Sequence, residues 1–382
     1  MKICYVGDVQ SNHTVKWMGY FVEQGHEVHA ISNTVPRDDM PRGVVLHLLP
    51  RYLAKFPVIS NFSRIVFFKK VSSAICDISG IIFTRKVINK LKPDVMHCFT
   101  LYGFWGALSG FHPMVVFPYG SDLLIRIKES LRIRLQYKFI CSKADALISD
   151  SLPLRDAAVA LGVPADRNHF VYMGVDRTQF NLYVDRNKTR EMHGFGDAHL
   201  IFSPRGARVV YNIDTIILSI PEVLKELPEA KFLFAFGWGD KGHELRKLAA
   251  DLCVEDSVRF VESVTYQEMP FYYAASDVCI SVPSSDSMTQ VLPEAMACGV
   301  PVIASDIPMA KGILTHEENV FIVPPRDPQA LSRAILVVLR NKELRQRIVE
   351  SALKLVDEKF DYHKNMARME SIYQSLCRED KR

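Results

Sequence analysis

Two carboxylates, Asp286 and Glu294, stand eight positions apart in Asp286-Ser287-Met288-Thr289-Gln290-Val291-Leu292-Pro293-Glu294-Ala295-Met296-Ala297-Cys298-Gly299. Carboxylates so spaced suit hydroxyl groups, and the small polar residues between them suit an anion. Ser287, Met288, Thr289 and Gln290 are expected to offer backbone N–H groups to a phosphate where a helix begins. The flanking elements are legible from hydrophobic pattern: 278–282 reads as a buried strand, 292–297 as a short helix ended by Gly299, and 300–304 as the next strand. That makes a βαβ unit, and open α/β sheets bind ligands at such strand ends.

The same alternation runs along the chain. Strands are expected at 3–6, 28–31, 45–49, 95–98, 114–117, 146–149 and 171–176, with helical stretches between them. Residues 177–199 are polar and irregular and read as a linker. A second series follows at 200–203, 232–236, 258–261, 278–282, 300–304 and 320–323, closed by helices at 330–340 and 344–359. Strands spaced by helices imply parallel, doubly wound sheets. The first strand-to-helix turn, 7–14, holds one glycine and is not a dinucleotide fingerprint.

At 382 residues the chain exceeds one ordinary core, so two domains of about 180 residues each are expected. The N-terminus reads as a first strand rather than a signal peptide, and no transmembrane helix is expected. Eight cysteines with no C-x-x-C pair suggest reduced residues of a cytosolic protein rather than a metal site. Charge is uneven. Residues 1–180 hold 22 Lys and Arg against 14 Asp and Glu, and within 51–92 nine cations face only Asp77 among many Phe and Ile residues. Two readings stand: an interfacial surface on anionic lipid, or amphipathic core helices with solvated faces. Nucleic acid is not expected as a partner, because no recognition module is visible.

The 286–299 stretch resembles the acidic-x7-Glu-Ala-Met-Ala-x-Gly signature of family 4 retaining glycosyltransferases. Tyr119-Gly120-Ser121-Asp122, Gly174-Val175-Asp176 with Phe180, Ala275-Ser276-Asp277-Val278, the 324–331 stretch and Phe360-Asp361-Tyr362 are similar landmarks, so the resemblance covers nearly the whole chain. It implies the GT-B fold, α/β with two facing Rossmann-like domains, parallel sheets and an interdomain cleft. Residues 1–180 would then bind the acceptor, 200–360 the nucleotide sugar, and 361–382 would form a helix crossing back to the first domain. The implied activity is retaining, metal-independent transfer of a hexose-type sugar from a UDP- or GDP-sugar to a lipid-linked or other glycan acceptor. No cofactor is expected beyond that donor. The place expected is cytoplasmic, and the interfacial reading of the basic segment would add peripheral contact through 51–92 on the inner face of the plasma membrane.

Residue by residue, the resemblance gives Glu294 the donor ribose hydroxyls and Asp286, where the family more often has Glu, the donor hexose. Arg205 would meet the diphosphate. The family's Lys six positions later is Tyr211 here, which leaves Arg208 as the candidate second cation. Tyr119 stands where many relatives carry His and keeps a hydroxyl without imidazole basicity. His13 and Lys16 fit a His-Thr-x-basic-Trp helix start near the diphosphate or acceptor, although His13 also reads as a cap or packed ring. Gly237 and Gly239 would permit close backbone approach to the donor, and Ser263-Val264-Thr265 would lie by the base. Alternatives are a GT-B nucleotide-sugar epimerase, or a catalytically degenerate GT-B protein serving as a binding or scaffold subunit.

Overall fold

The computed structural model describes residues 1–50, 66–236, 239, 241–262 and 264–379, with backbone alone for 66–74. They divide into two compact units, one of Met1–Val171 with Met366–Arg382, the other of Tyr172–Asn365.

The first unit is built on a parallel sheet, which among the described residues has seven strands. They are β1 (Lys2–Val6), β2 (Glu27–Ser32), β3 (Val45–Leu48), β4 (Val95–Phe99), β5 (Met114–Phe117), β6 (Ala146–Ser149) and β7 (Asn168–Phe170). Their order in the sheet is β3-β2-β1-β4-β5-β6-β7, so the strand order reverses between β1 and β4. The central strands are apolar on both faces, as a parallel sheet covered by helices requires. Cys4, Val6, Met96, Cys98, Met114 and Val116 join one buried cluster. On the other face Tyr5, His97, Phe99 and Phe117 form an aromatic layer around Trp17. The long uncharged run 95–121 is no span: it folds as β4, a 3-10 turn, the seven-residue helix Gly103–Ser109 and β5. No described helix is long and apolar enough to cross a membrane.

The second unit repeats the design with β8 (Leu200–Ser203), β9 (Lys231–Ala235), β10 (Val258–Val261), β11 (Val278–Ser281), β12 (Val302–Ser305) and β13 (Phe321–Val323). The order is β10-β9-β8-β11-β12-β13, reversing between β8 and β11. Alternation along each strand divides the core in two: Leu200, Phe202, Cys279, Val302 and Ala304 face one cluster, and Ile201, Val278, Ile280 and Ile303 the other. None of the eight cysteines is in a disulfide.

Two expectations need correction. Residues 171–176 are not the last strand of the first sheet; that role falls to β7, which pairs with β6. Gly174 turns the chain at a φ of 77°, its missing Cβ facing the backbone of Phe360 and Tyr362, and Val175 makes only an isolated bridge to Asp361. Nor is 177–199 irregular throughout, since Asn187–His193 is helical, ended by Gly194 in the left-handed conformation. Arg190 fixes that helix by binding Asp277 at 2.9 Å and the carbonyls of Ala275, Gly196 and Ala198.

Candidate functional site

In the second unit the loops after β8 and β11 meet, because those strands are neighbours where the strand order reverses. Arg205 lies two residues past β8 and its side chain is buried. It donates from Nη2 to Asp286 Oδ2 at 2.6 Å and from Nη1 to Thr289 Oγ1 at 2.5 Å, while its guanidinium lies 3.8 Å from the ring centroid of Tyr211. Its Nε is buried with no hydrogen-bond partner among the described residues. Burial pushes the Asp286 carboxyl above its ordinary range, against the opposing pull of Arg205 and of the Ser287 N–H. A dry guanidinium in a fixed plane is suited to bidentate recognition of a phosphate.

A second network ties the same loops together. Asn212, held at a φ of 51°, donates from Nδ2 to Val282 O and Ser284 Oγ, both at 2.8 Å. Ser284 N donates to Val210 O at 2.8 Å, and the exposed Arg326, from the loop after β13, donates to Ser284 Oγ at 3.0 Å. Asn212 and Arg326 were not singled out from sequence. Their signal, a non-glycine residue in the left-handed region, belongs to the backbone and is not visible in residue order.

Glu294 sits inside the helix Val291–Ala297 and is buried, accepting a 3.1 Å hydrogen bond from Tyr273 Oη. Tyr273, Tyr266, Cys279 and Cys298 are all pushed up, by burial first and the Glu294 charge next. This carboxylate is held in place by its surroundings rather than waving in solvent. Ser287 and Thr289 are buried near it in sequence, and Gln290 stands at the position just before the helix. The Thr289 hydroxyl serves Arg205 and the Ser287 N–H serves Asp286, so both help to aim the ion pair.

Arg208 is exposed on the same loop. Gly239, at a φ of 131°, presses against that loop: a Cβ there would stand 2.3 Å from Ala207 O. Its close backbone approach is to Ala207, two residues from Arg205. Gly237 and Ser263 lie outside the described residues, as do 51–65 and the side chains of 66–74 in the basic segment.

The first unit gathers its own candidates at strand ends. Tyr119 follows β5; its hydroxyl lies 2.8 Å from Ser11 Oγ, its ring centroid 5.0 Å from that of His13, and its N–H donates to Asp122 Oδ2 at 3.2 Å. Asp122 is buried and pairs with Arg126 at 3.0 Å, which fixes the turn. Burial lifts the Tyr119 phenol to about 12. Burial, and then the Lys16 charge, lowers His13 to about 4, so the ring is neutral at pH 7. Two further residues mark this end of the sheet. Asp8 accepts from Thr34 Oγ1 at 2.6 Å. Thr100 takes a φ of 52°, unusual for a β-branched residue. Among the described residues no group of three or more His, Cys, Asp or Glu side chains is placed to hold a metal ion.

Residues 185–355 match the family model described as glycosyl transferases group 1, and residues 2–151 match that described as glycosyl transferase 4-like. The chain belongs to the glycosyltransferases of the GT-B, family 4 type. Members of this family are enzymes that transfer sugars. The glycosyltransferase chain is 24% identical over 247 residues to N-acetyl-alpha-D-glucosaminyl L-malate synthase of Bacillus anthracis, covering 64% of this chain and 63% of that protein. It is 28% identical over 247 residues to D-inositol 3-phosphate glycosyltransferase of Xylanimonas cellulosilytica, covering 61% and 58%. It thus spans about three fifths of the length of these two relatives. The crystal structure of Anabaena HepE in complex with UDP-glucose superposes with a TM-score of 0.80 at 17% identity, over 98% of this chain and 100% of that one. At that identity the likeness establishes the GT-B fold: two parallel-sheet Rossmann-like domains.

Proposed function

We propose that this protein transfers a hexose-type sugar, with retention of configuration and without a metal, from a UDP- or GDP-sugar to a lipid-linked or other glycan acceptor. The observation that carries the reading is the buried Arg205, held by Asp286, Thr289 and Tyr211 where the strand order reverses. The UDP-glucose bound to the similarly folded HepE favours a uridine nucleotide. Residues 200–360 take the donor in this reading and residues 1–180 the acceptor.

Glu294 binds the ribose hydroxyls as a charged acceptor fixed by Tyr273. Arg205 binds the diphosphate, and its effect is greatest as that group leaves, because charge develops there in a dry setting. The bond between the sugar anomeric carbon and the diphosphate oxygen breaks. The acceptor oxygen bonds that carbon on the same face, and the acceptor proton passes to the departing diphosphate. Asp286, tethered to Arg205, orients the hexose. Tyr119 and neutral His13 position groups rather than take the proton, since the phenol's proton is held tightly and the imidazole is a weak base. Arg208 supplies outer positive charge, with Lys16 beside His13 as a further cation.

The test is release of nucleoside diphosphate from UDP-glucose, UDP-N-acetylglucosamine and GDP-mannose, with and without a detergent extract of lipid-linked glycans. Release that depends on the extract, with a product whose anomeric configuration matches the donor by proton NMR, supports the reading. Donor epimerised without release would favour the epimerase alternative, and binding without either reaction the scaffold alternative.

A further inference from the structure

We propose that the outer face formed by residues 75–91 of the helix Val66–Leu91, with the helices Gly103–Ser109 and Leu131–Lys143 of the same unit, is a docking surface for an anionic lipid bilayer. The inference deepens the lipid-linked-acceptor reading and rests on it for purpose, while its physics stands on this surface alone.

The three helices form one layer. Gly80 lets the first approach the second so closely that a Cβ there would fall 2.3 Å from the Trp105 ring. Asp77 accepts from Trp105 Nε1 and from Arg132 Nη2, each at 3.3 Å, joining all three helices at one carboxylate. Phe104 meets Phe139 edge-on at 5.9 Å. The faces turned inward are accounted for: Gly80, Thr84 and Ile88 of the first helix and Tyr137, Ile140 and Cys141 of the third are buried.

The outward face is unusual. Ile78, Ile82, Leu131 and Leu135 are the four most exposed large apolar residues described in this unit, Ile82 at 64% and Leu131 at 71%. Each pair is spaced one helical turn apart on its own helix, and Leu108 of Gly103–Ser109 is exposed as well. Exposed apolar side chains on helices joined at one carboxylate mark an interaction surface. The surrounding charge selects the occupant. Over 75–91, 103–109 and 131–143 the sequence carries seven Lys and Arg and a single anion, Asp77, which is already paired. Arg85, Lys86, Arg134 and Lys138 are exposed on the same helices. Shallow apolar side chains on helices whose exposed charges are cationic, with the acidic Glu129 just ahead of Leu131 as the exception, match an acyl boundary beneath acidic headgroups. The surface includes the helix Leu131–Lys143, beyond the 51–92 stretch that composition alone flags.

Co-sedimentation of the full chain with vesicles tests the proposal, using phosphatidylglycerol mixed with phosphatidylcholine against phosphatidylcholine alone. Wild type is expected to pellet with the anionic vesicles, less so as salt rises, and to remain in solution with the neutral ones. Two variants are compared, Leu131→Ser/Leu135→Ser and Arg134→Glu/Lys138→Glu, all at exposed positions. Each should lower partitioning by roughly tenfold or more while keeping the wild-type melting temperature and UDP affinity. Equal pelleting of wild type and both variants, or no pelleting at all, overturns the proposal. So does a wild-type dimer in analytical ultracentrifugation that the leucine variant dissolves, because the face would then be a contact between copies. UDP affinity is read separately, so failure of the donor reading leaves the vesicle result interpretable.

Discussion

Replacing Arg205 with Ala separates what that residue does for the fold from what it does for transfer. The side chains of Arg205 and Asp286 are 8% and 19% exposed and lie 2.6 Å apart. Removing one partner of a fully buried pair costs about 3–5 kcal/mol. Asp286 keeps some solvent and the Ser287 N–H, so the expected loss is about 1–3 kcal/mol, the range for a buried polar group left unsatisfied. Burial already lifts the Asp286 pKa and Arg205 opposes it; without Arg205 it climbs further. The native state then binds a proton more tightly than the unfolded chain, so the variant loses stability as pH rises through that interval. Its deficit against wild type should shrink on acidification from neutral pH. Adding Asp286→Asn should recover much of the loss, since it removes the stranded charge. Turnover should remain low in both variants, and Arg205→Lys should restore part of it, as a point charge without the bidentate fork. Chemical denaturation at two pH values and nucleotide release measure the two effects. A double variant no more stable than the single one would refute the electrostatic account. Turnover of Arg205→Ala within about twofold of wild type would refute the diphosphate role and make Arg208 or Arg326 the candidate.

Gly239→Ala should destabilise the second unit by about 1–3 kcal/mol and weaken UDP binding, because a Cβ at a φ of 131° meets Ala207 O at 2.3 Å; an unchanged denaturation midpoint would contradict it. His13, lowered to about 4 from 6.5, is protonated more readily unfolded than folded. Its contribution to stability is present above pH 6.5 and is lost progressively as pH falls toward 4. Its ring signals should therefore titrate near pH 4 by NMR, and a midpoint near 6.5 would show that the ring is solvated.

The sheet elements were legible because parallel strands are apolar on both faces and their helices alternate with them at regular spacing. The stretch 171–176 was misread for that same reason. Val171-Tyr172-Met173 is apolar, but Gly174 takes a left-handed φ of 77° that a strand does not continue through. At the site, Asp286 and Glu294 stood out through their local spacing, and Arg205 through resemblance. That Arg205 grips Asp286, eighty-one residues on, follows from β8 and β11 being neighbours, a tertiary fact. Likewise Tyr273 gave no sign of its bond to Glu294, since its place in Pro270-Phe271-Tyr272-Tyr273 reads as ordinary helix packing. The exposed leucines of 131–143 look like core positions in sequence, and only the packing of Tyr137 and Ile140 inward shows which face is left outside.

Donor binding by the second unit is the centre of the account, and titration calorimetry of UDP on wild type and Glu294→Ala tests it most directly. Wild type should bind UDP, and the substitution should weaken binding by about 1.5–3 kcal/mol, the contribution of a hydrogen bond to a charged group. The melting temperature of the unliganded protein serves as the control for folding. Equal UDP affinity in two equally folded proteins would contradict the assignment of Glu294 to the ribose.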